Sequence, residues 1–529
     1  MTYAKFLSTP IPQTAPLPNQ VANNAGGFSF AVNKWVKLDR FLVLGTEGGT
    51  YYVSEHVLTQ ENATSVLECI QEDGLRVVNR VVEISDAGRA PKNDPAIFVL
   101  AMCMSHGNIN TRRLAGASLH KVCRTGTHLL HFADYVNKMR GWGRGLRTAI
   151  GNWYTEQSAS NIAYQAVKYG HRDGWSHKDL LRLSHPNPPT KEHKIVYNWI
   201  AKGWPDIGPV PHPNKEVQII WATERAKVAK GKELINLISD YRLPREVIPT
   251  DKLTNPDVWE ALLPHMGLTA IIRNLGVMTS LGVISAGNRL STQYVIDQIT
   301  DIGNLKKSRI HPVALLSAML TYSQGHGVRS TKTWQPVTKV VDALDEGFYK
   351  SFGNIVPTGK RFMLGLDVSG SMSAGEIAGV PGLTPRVGSA AMALITAATE
   401  QDYHIMGFSN RFIPLNISPR QRMDDVIDTI SGLPFESTDC SLPMTYALNN
   451  RISIDTFVVY TDNETYAGRM HPSEALKQYR KIMGIPAKLV VVGMTATDFT
   501  IADPNDTGMM DVVGFDTATP QLISDFAIS

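Results

Sequence analysis

Asp367, Ser369 and Ser371 alternate in RFMLGLDVSGSM, where a compact apolar run ends in a loop of Asp, Ser and Gly. The D-x-S-x-S spacing sets one carboxylate and two hydroxyls on the same side of a tight loop. Oxygen-only donors with a single formal charge suit a hard divalent cation such as Mg²⁺. Ser and Asp crowd many turns, so this motif alone carries little weight. Two further segments that read as strand ends add to it: Thr438-Asp439 after the helical DDVIDTISGL, and Thr461-Asp462 closing FVVYTD. The plain alternative, ordinary turn and capping residues, must account for three coincidences.

A second chemistry is cationic. The chain of 529 residues has a net charge of +4, which conceals how the charge is distributed. Residues 1–360 hold 41 Lys and Arg against 29 Asp and Glu, whereas residues 361–529 hold 11 against 19. Between residues 101 and 200 the ratio is 14 to 5, and eight of the fifteen histidines fall there. A local excess of this sign suits a polyanionic partner, with a solvated basic face as the bland alternative.

The basic residues near position 170 have geometry as well as abundance. Ser176 with Asp179 reads as a helix start, and Leu180, Leu181 and Leu183 supply an apolar side. Lys178, Arg182 and His185 then fall at i, i+4 and i+7 on one face. Lys168 and Arg172, four apart, read as the end of the preceding helix, so two adjacent helices would present one ridge. Long cationic donors at this spacing suit phosphates, and an Arg fork serves two oxygens at once. A second cluster combines Arg112 and Arg113 with Arg144 and Arg147 in GWGRGLRTAI. Beside it, Trp142 and Trp153 are either core residues or platforms for stacked bases.

Two kinds of structure must position these side chains. Residues 1–27, rich in Pro, Asn, Gly and Gln without apolar periodicity, read as an extended arm. From about residue 55, stretches such as ENATSVLECIQEDGLRVVNRVVEIS and VQIIWATERAKVAKGKELINLISDYR repeat apolar residues every three or four positions. Short Gly- or Pro-containing breaks and no intervening strands suit a stack of helical hairpins over residues 28–356, although no repeat of fixed period is present. The pattern changes at Pro357. Compact apolar runs then alternate with helical stretches through VVGFD and QLISDFAI, which specifies a doubly wound α/β domain over residues 357–529.

Length and composition agree with two folded domains, since 529 residues exceed one ordinary core and 43% are hydrophobic. The N-terminus has no basic region followed by an apolar run and cleavage site, and nowhere do eighteen apolar residues run together, which argues against secretion and membrane insertion. Cys69, Cys103, Cys123 and Cys440 are scattered without a C-x-x-C pair, and read as reduced, buried thiols of a cytoplasmic protein.

The segments GWSHKDLLRLSH, PTGKRF, DVSGSM, TDCSLPM, YTDNETYAG, AKLVVVGMT and FTIADPNDTGMMDVVGFDT, in this order, resemble the Ro autoantigen (TROVE-domain) family and its bacterial members. The C-terminal half resembles the von Willebrand factor A domain with its metal-ion-dependent adhesion site. The resemblance implies a ring of HEAT-like helical repeats closed against the A domain. It assigns Asp367, Ser369, Ser371, Thr438 and Asp462 as direct or water-mediated ligands of the cation. It assigns contacts with small noncoding Y RNA to Lys168, Arg172, His177, Lys178, Arg182 and His185. The region of Arg112, Arg113, Arg144 and Arg147 becomes the lining of a central hole that takes single-stranded 3′ ends of misfolded RNA. The Pro-rich arm and the insertion SAGEIAGVPGLTPRVG have no counterpart in these motifs, and FSFAVNKWVKLDRFLVLG reads as partly strand.

The expectation is a binding protein of noncoding-RNA quality control that presents RNA to other machinery, an exoribonuclease among the possible partners. No phosphate-cradling G-x-x-x-x-G-K-[ST], no G-x-S-x-G and no H-E-x-x-H occurs. The alternatives are an intracellular scaffold or adhesion protein that captures an acidic side chain through the A-domain metal, and a metal-dependent nuclease. The nuclease lacks the clustered carboxylates of two-metal chemistry.

Overall fold

Short polar side chains set where the helices of the N-terminal body begin. Asn33 accepts from the amides of Trp35 and Val36, both at 3.0 Å, to open the helix Lys34–Leu44. Asn108, Thr125, Ser158 and Thr190 do the same for Ile109–Ala117, Gly126–Met139, Ala159–Lys168 and Lys191–Lys202. Each cap satisfies amides that have no partner within the helix. The structure, a computed structural model, describes residues 10–45, 63–204, 210–327, 332–353, 355–373, 384–419, 421–433, 437–495 and 497–529.

The helix Asp94–His106 is buried from Pro95 to Ser105, because it packs between Thr64–Ala87 and Gly126–Met139 and touches Ile109–Ala117 as well. Further helices follow in series, among them Gln218–Ala226, Gly231–Tyr241, Leu268–Ser280, Pro312–Ser323 and Thr338–Lys350. The series then closes on itself. Asp86, at the end of Thr64–Ala87, pairs with Arg309 at 2.8 Å, and Arg89 just beyond forks onto Asp516 of the C-terminal domain at 2.6 and 2.9 Å. His311 completes the seam, with Nε2 at 2.7 Å from the Phe515 carbonyl and 3.2 Å from that of Arg89. The helical body is thus a ring closed against the second domain.

Among the described residues four short strands precede the C-terminal domain: β1 (Gln20–Ala22), β2 (Phe28–Ala31), β3 (His171–Arg172) and β4 (Trp175–Ser176). The hairpin β3–β4 interrupts the helices, contrary to the expectation of no intervening strands. Its Asp173-Gly174 turn has φ of 52° and 79°, the doubly positive geometry that Asp-Gly accepts in a two-residue hairpin.

The C-terminal domain contains β5 (Arg361–Asp367), β6 (Asp402–Phe408), β7 (Phe412–Pro414), β8 (Thr456–Thr461), β9 (Lys488–Gly493), β10 (Phe499–Thr500) and β11 (Met509–Val513). Six of these form a sheet in the order β11-β9-β8-β5-β6-β7, parallel except for β7. Leu364, Val458 and Val490 face the helices Pro385–Thr399 and Thr519–Ile528, while Met363, Phe457 and Leu489 face Leu442–Asn449 and Pro472–Met483. That period-two alternation between two helical layers is the expected double winding. The helix after β5 starts at Pro385, so the end of SAGEIAGVPGLTPRVG belongs to it, and residues 374–383 lie outside the described residues.

The arm departs from a free extension. β1 pairs with β2, and β2 pairs with β10, so residues 28–31, grouped by sequence with the helical body, lie on the C-terminal domain. Behind them Arg40, with 0% exposure, reaches Asp511 at 2.9 Å and donates to the Thr497 carbonyl. All four cysteines are free and buried, and among the described residues no helix is long and apolar enough to cross a membrane.

Three histidines are held neutral by this packing. Burial pushes His128 down to about 3, and His177 and His311 down to about 4. In His311 the Nδ1 accepts from the Val313 amide at 3.1 Å, so a second ring proton would oppose an existing donor. These folded values lie below the ordinary 6.5, so the unfolded chain binds more protons between roughly pH 6.5 and 4, and stability falls with pH through that window. Urea unfolding between pH 7 and 4.5 should show this loss, and His311→Gln should flatten it by about one proton's worth. Parallel pH profiles for the two proteins would contradict the assignment.

Candidate functional site

β5 ends at Asp367, and the chain turns sharply because the Ser369 amide donates back to Asp367 Oδ1 at 2.9 Å. That turn places the hydroxyls of Ser369 and Ser371 3.1 Å apart on one side of the loop. The other carboxylate oxygen, Oδ2, accepts from the Thr461 hydroxyl at 2.7 Å, which ties β5 to the end of β8. Asp462 follows directly; its Oδ1 accepts from the Glu464 amide at 3.0 Å, while its Oδ2 is buried without a hydrogen-bond partner among the described residues. Thr438 joins by another route than expected. It lies in the loop before the helix Leu442–Asn449, not at a strand end, and its carbonyl accepts from Tyr466 and Ala467 at 3.1 and 3.0 Å. The sequence mistook it because a carboxyl edge collects helix-preceding loops as well as strand ends.

The electrostatics of the pocket are set by two carboxyl groups held out of water. Burial, followed by the charge of Asp462, pushes the Asp367 carboxyl up to about 7. Asp462 is also raised by burial, with the Ser371 hydroxyl acting against it. Two buried carboxylates, one with an orphaned oxygen, beside the hydroxyls of Ser369 and Ser371 make an oxygen-only set that fits a hard divalent cation such as Mg²⁺, and Thr438 is tied to the Asp462 loop through its carbonyl. Arg386, from the first turn of Pro385–Thr399, and the thiol of Cys440, 3.6 Å from the Thr461 hydroxyl, back the pocket from behind.

One residue of this construction was not foreseen. Gln13, with 0% exposure, donates from Nε2 to Asp439 Oδ1 at 2.8 Å and to the Met470 carbonyl at 2.9 Å. Its Oε1 accepts from the Thr465 hydroxyl at 2.6 Å and the Gly468 amide at 3.0 Å. The arm therefore clamps the Thr438 loop to the Asp462 loop. Asn23, donating to the Thr465 carbonyl at 2.7 Å, and Asn24, donating to Glu464 at 2.7 Å, extend the clamp. A polar Pro-rich segment gives no periodicity, so only a buried amide at its destination could reveal this role.

On the body, Ser176 and Asp179 form the reciprocal cap that the sequence specified, opening the helix His177–Ser184. Lys178 and Arg182 are exposed on it, and His185 is exposed at its left-handed end with φ 48°. Arg172 is exposed in β3, so it shares no helix with Lys168. Lys168, half-buried at the end of Ala159–Lys168, lies over the rings of Tyr164 and Tyr169 at 5.6 and 5.3 Å. His177 must be removed from the exposed set: it is 2% exposed, with Nδ1 2.6 Å from the Tyr154 hydroxyl. As the first helical residue it points inward, which the count from Lys178 did not anticipate.

Arg112 ends the first turn of Ile109–Ala117 with Arg113 directly after it, and Arg144 and Arg147 lie in the first turn of Arg144–Thr155; neither turn carries an acidic residue. The positive helix ends disfavour cations there. Arg140 adds to the crowding, since burial first and then its charge lower Arg112, and His106 is lowered by burial, Arg112 and Arg140. Arg113, Arg144 and Arg147 are exposed, and Arg112 is half-buried. Such an accumulation makes this part of the body strongly cationic. Trp153 is core, donating to the Cys123 carbonyl at 2.7 Å. Trp142 is half-buried and stacks on Trp175 at 5.5 Å and 15°, while its Nε1 donates to the Leu183 carbonyl at 3.3 Å. This stack ties the segment before Arg144 to the end of the Lys178 helix.

Fold and site together define a class: a closed ring of helices joined to a doubly wound domain of the von Willebrand factor A type. The TROVE domain matches residues 21–205 and 242–324, and the Ro60 vWA domain matches residues 361–527. The chain is 43% identical over 520 residues to an RNA-binding protein RO60 of Deinococcus radiodurans, covering 98% of this chain and 97% of that one. It is 36% identical over 586 residues to an RNA-binding protein RO60 of Caenorhabditis elegans, covering 96% and 90%. The crystal structure of the Deinococcus radiodurans RO (RSR) protein matches with a TM-score of 0.71 at 42% identity, over 94% of this chain and 99% of that one. The chain belongs to the Ro60 family of TROVE-domain proteins.

The clamp gives a direct test. Gln13→Ala leaves buried partners on both loops unsatisfied and should lower stability by about 1–3 kcal/mol. Gln13→Glu, which sets a carboxylate against Asp439, should be the more damaging of the two. Urea midpoints equal to the unaltered protein would show that the arm is not a structural part of the site.

Proposed function

We propose that this chain is a non-catalytic RNA-binding protein of noncoding-RNA quality control. On this reading small Y RNA lies along the ridge of Lys168, Arg172, Lys178, Arg182 and His185. Single-stranded 3′ ends of misfolded RNA enter by the cluster of Arg112, Arg113, Arg144 and Arg147, and the held RNA is presented to other machinery such as an exoribonuclease. The observation that carries the proposal is the cationic surface itself, above all the arginines gathered at helix N-termini that carry no acidic residue in their first turns, where the helix dipole disfavours cations. The names of the Deinococcus and Caenorhabditis relatives support RNA as the partner.

In this mechanism the arginines, Arg182 among them, act as forks on phosphate oxygens, and Lys178 acts as a point donor along the ridge. His177 takes no part in contact; it holds the start of the ridge helix against Tyr154. In the second domain Asp367, Ser369, Ser371, Thr438 and Asp462 would hold Mg²⁺, which when bound would offer a coordination position to an oxygen ligand. The orphaned Asp462 oxygen also favours a second reading, a metal-dependent scaffold that captures an acidic side chain of a protein partner.

Two measurements test these readings. Lys178→Ala combined with Arg182→Ala should flatten the dependence of log affinity on log salt for structured RNA by about 1.4–1.8, two phosphates' worth. His177→Ser should instead lower stability and leave that slope unchanged. Superimposable salt lines for the double variant would remove the ridge as the RNA site. For the A domain, calorimetry should find Mg²⁺ binding that Asp367→Ala abolishes, with the helical body still folded by circular dichroism; equal affinity in that variant would sink the metal assignment.

A further inference from the structure

At the seam where the ring closes, a cavity of 460 Å³ opens between the helices Leu268–Ser280 and Pro312–Ser323. Its volume falls in the small-molecule range of roughly 300–1,000 Å³. The floor is apolar, built by Ile272, Leu275, Val313 and Tyr322. One wall is the ring of Trp334, which stacks on Tyr322 at 6.1 Å and 18° and is fixed by its own Nε1 donating to the Tyr322 carbonyl at 2.9 Å. Gly276 makes that wall possible, because a Cβ there would lie 2.6 Å from the Trp334 ring. The hydroxyls of Thr269, Ser317 and Thr321 also line the space.

The mouth is cationic. Lys92, from the segment after Thr64–Ala87, and Arg273, from Leu268–Ser280, are both exposed and line the cavity. They also line a second hollow of 170 Å³ beside it, where Arg124 and Arg309 join them. No carboxylate appears in either lining among the described residues. Arg309 is engaged with Asp86, and Arg124 with the Ser85 hydroxyl at 3.0 Å, whereas Lys92 and Arg273 have no acidic partner among the described residues. The pair comes from opposite sides of the seam, 181 positions apart in the chain.

An occupant must satisfy a flat apolar slot, several hydroxyls inside it and two converging cations at its mouth. An acyl chain would use the slot but leave the hydroxyls without partners. We propose that the cavity takes an unpaired nucleotide: the base against Trp334 with its edge bonded to the hydroxyls, and the phosphate between Lys92 and Arg273. The chemistry is common to a free mononucleotide and to a terminal nucleotide of RNA. The inference rests on the RNA-binding reading above only for the source of that nucleotide, not for the site.

The test uses the full chain and three probes: ribonucleoside monophosphates, a six-nucleotide single-stranded RNA, and oleate. Calorimetry should show saturable binding of the monophosphates or of the oligonucleotide, weakened about tenfold or more by Lys92→Ala with Arg273→Ala. Photocrosslinking of a 4-thiouridine-containing probe should map to Trp334 or Tyr322 in the unaltered protein. Monophosphate binding would identify a free nucleotide, and binding of the oligonucleotide alone a terminal one. Ala318→Leu, which fills the cavity from Pro312–Ser323 without altering charge, should abolish the crosslink; its unfolding midpoint reports whether the fold survives, and the charge variant decides if it does not. Binding that persists equally in Lys92→Ala with Arg273→Ala, binding of oleate alone, or no binding of any probe would overturn the proposal. The ridge is read by the salt dependence of structured-RNA affinity and the cavity by monophosphate binding and the crosslink at Trp334, so failure of the one and failure of the other read out separately.

Discussion

Arg89 stands where three segments far apart in the chain come together. Its guanidinium forks onto Asp516, its carbonyl accepts from His311 and from the Thr517 amide at 3.3 Å, and its own amide closes the helix Thr64–Ala87 on Ile84 at 3.1 Å. Both partners of the ion pair are nearly excluded from water, at 11% and 5% exposure. Such a pair adds little net stability compared with apolar packing, but removing one partner strands a buried charge and costs about 3–5 kcal/mol. Its contribution is therefore one of geometry. A ring of helices has no intrinsic reason to close at a given register, and the seam admits one in which Asp86 meets Arg309 and Asp516 meets Arg89.

That register decides what the rest of the molecule can do. The seam cavity exists because the segment after Thr64–Ala87 is brought against Leu268–Ser280 and Pro312–Ser323. The same closure turns the second domain so that the amino-terminal arm, leaving the helix Lys34–Leu44 at its start, crosses β10 and ends on the metal loops. Arg40 and Gln13 fix the two ends of that crossing by the same device, a fully buried polar side chain that bonds to several partners at once. The pocket at Asp367 and Asp462 is consequently a joint product of four chain segments, only three of which lie in the domain that bears it.

The sequence was legible where a local rule decides the structure. D-x-S-x-S fixes the turn after Asp367 through one amide, Ser176 and Asp179 satisfy each other across three residues, and alternating strands and helices in a buried parallel sheet leave no other arrangement. It was illegible where long-range burial decides. Counting helical positions put His177 with Lys178 and Arg182, yet the first turn of that helix is laid against Tyr154, and the apolar environment claimed the histidine. Lys168 and Arg172 look like neighbours on a helix until Asp-Gly opens the β3–β4 hairpin between them and Trp175. The arm carries no periodicity because it forms no core; its information lies in a few amides, and their partners are more than 400 residues away.

Charge separation between the two domains gives the architecture a further logic. The helical part carries the cationic excess and the second domain the anionic one, with 11 Lys and Arg against 19 Asp and Glu over residues 361–529. At physiological salt, fields between exposed charges fade within roughly 8 Å. A polyanion approaching the ring is therefore drawn to the body at short range and repelled by the neighbouring domain. In the pocket at Asp367 and Asp462 burial raises both carboxyls, and the charge of Asp462 raises Asp367 further. A bound divalent cation would offset that charge and let the pocket receive a carboxylate on an acidic domain. The two proposed binding chemistries then compete for nothing: one takes phosphates on the body, the other oxygen ligands on the sheet edge. What joins the two parts is the seam at Arg89 and the clamp at Gln13, both built of buried hydrogen bonds that the salt of the medium screens far less than it screens exposed charges.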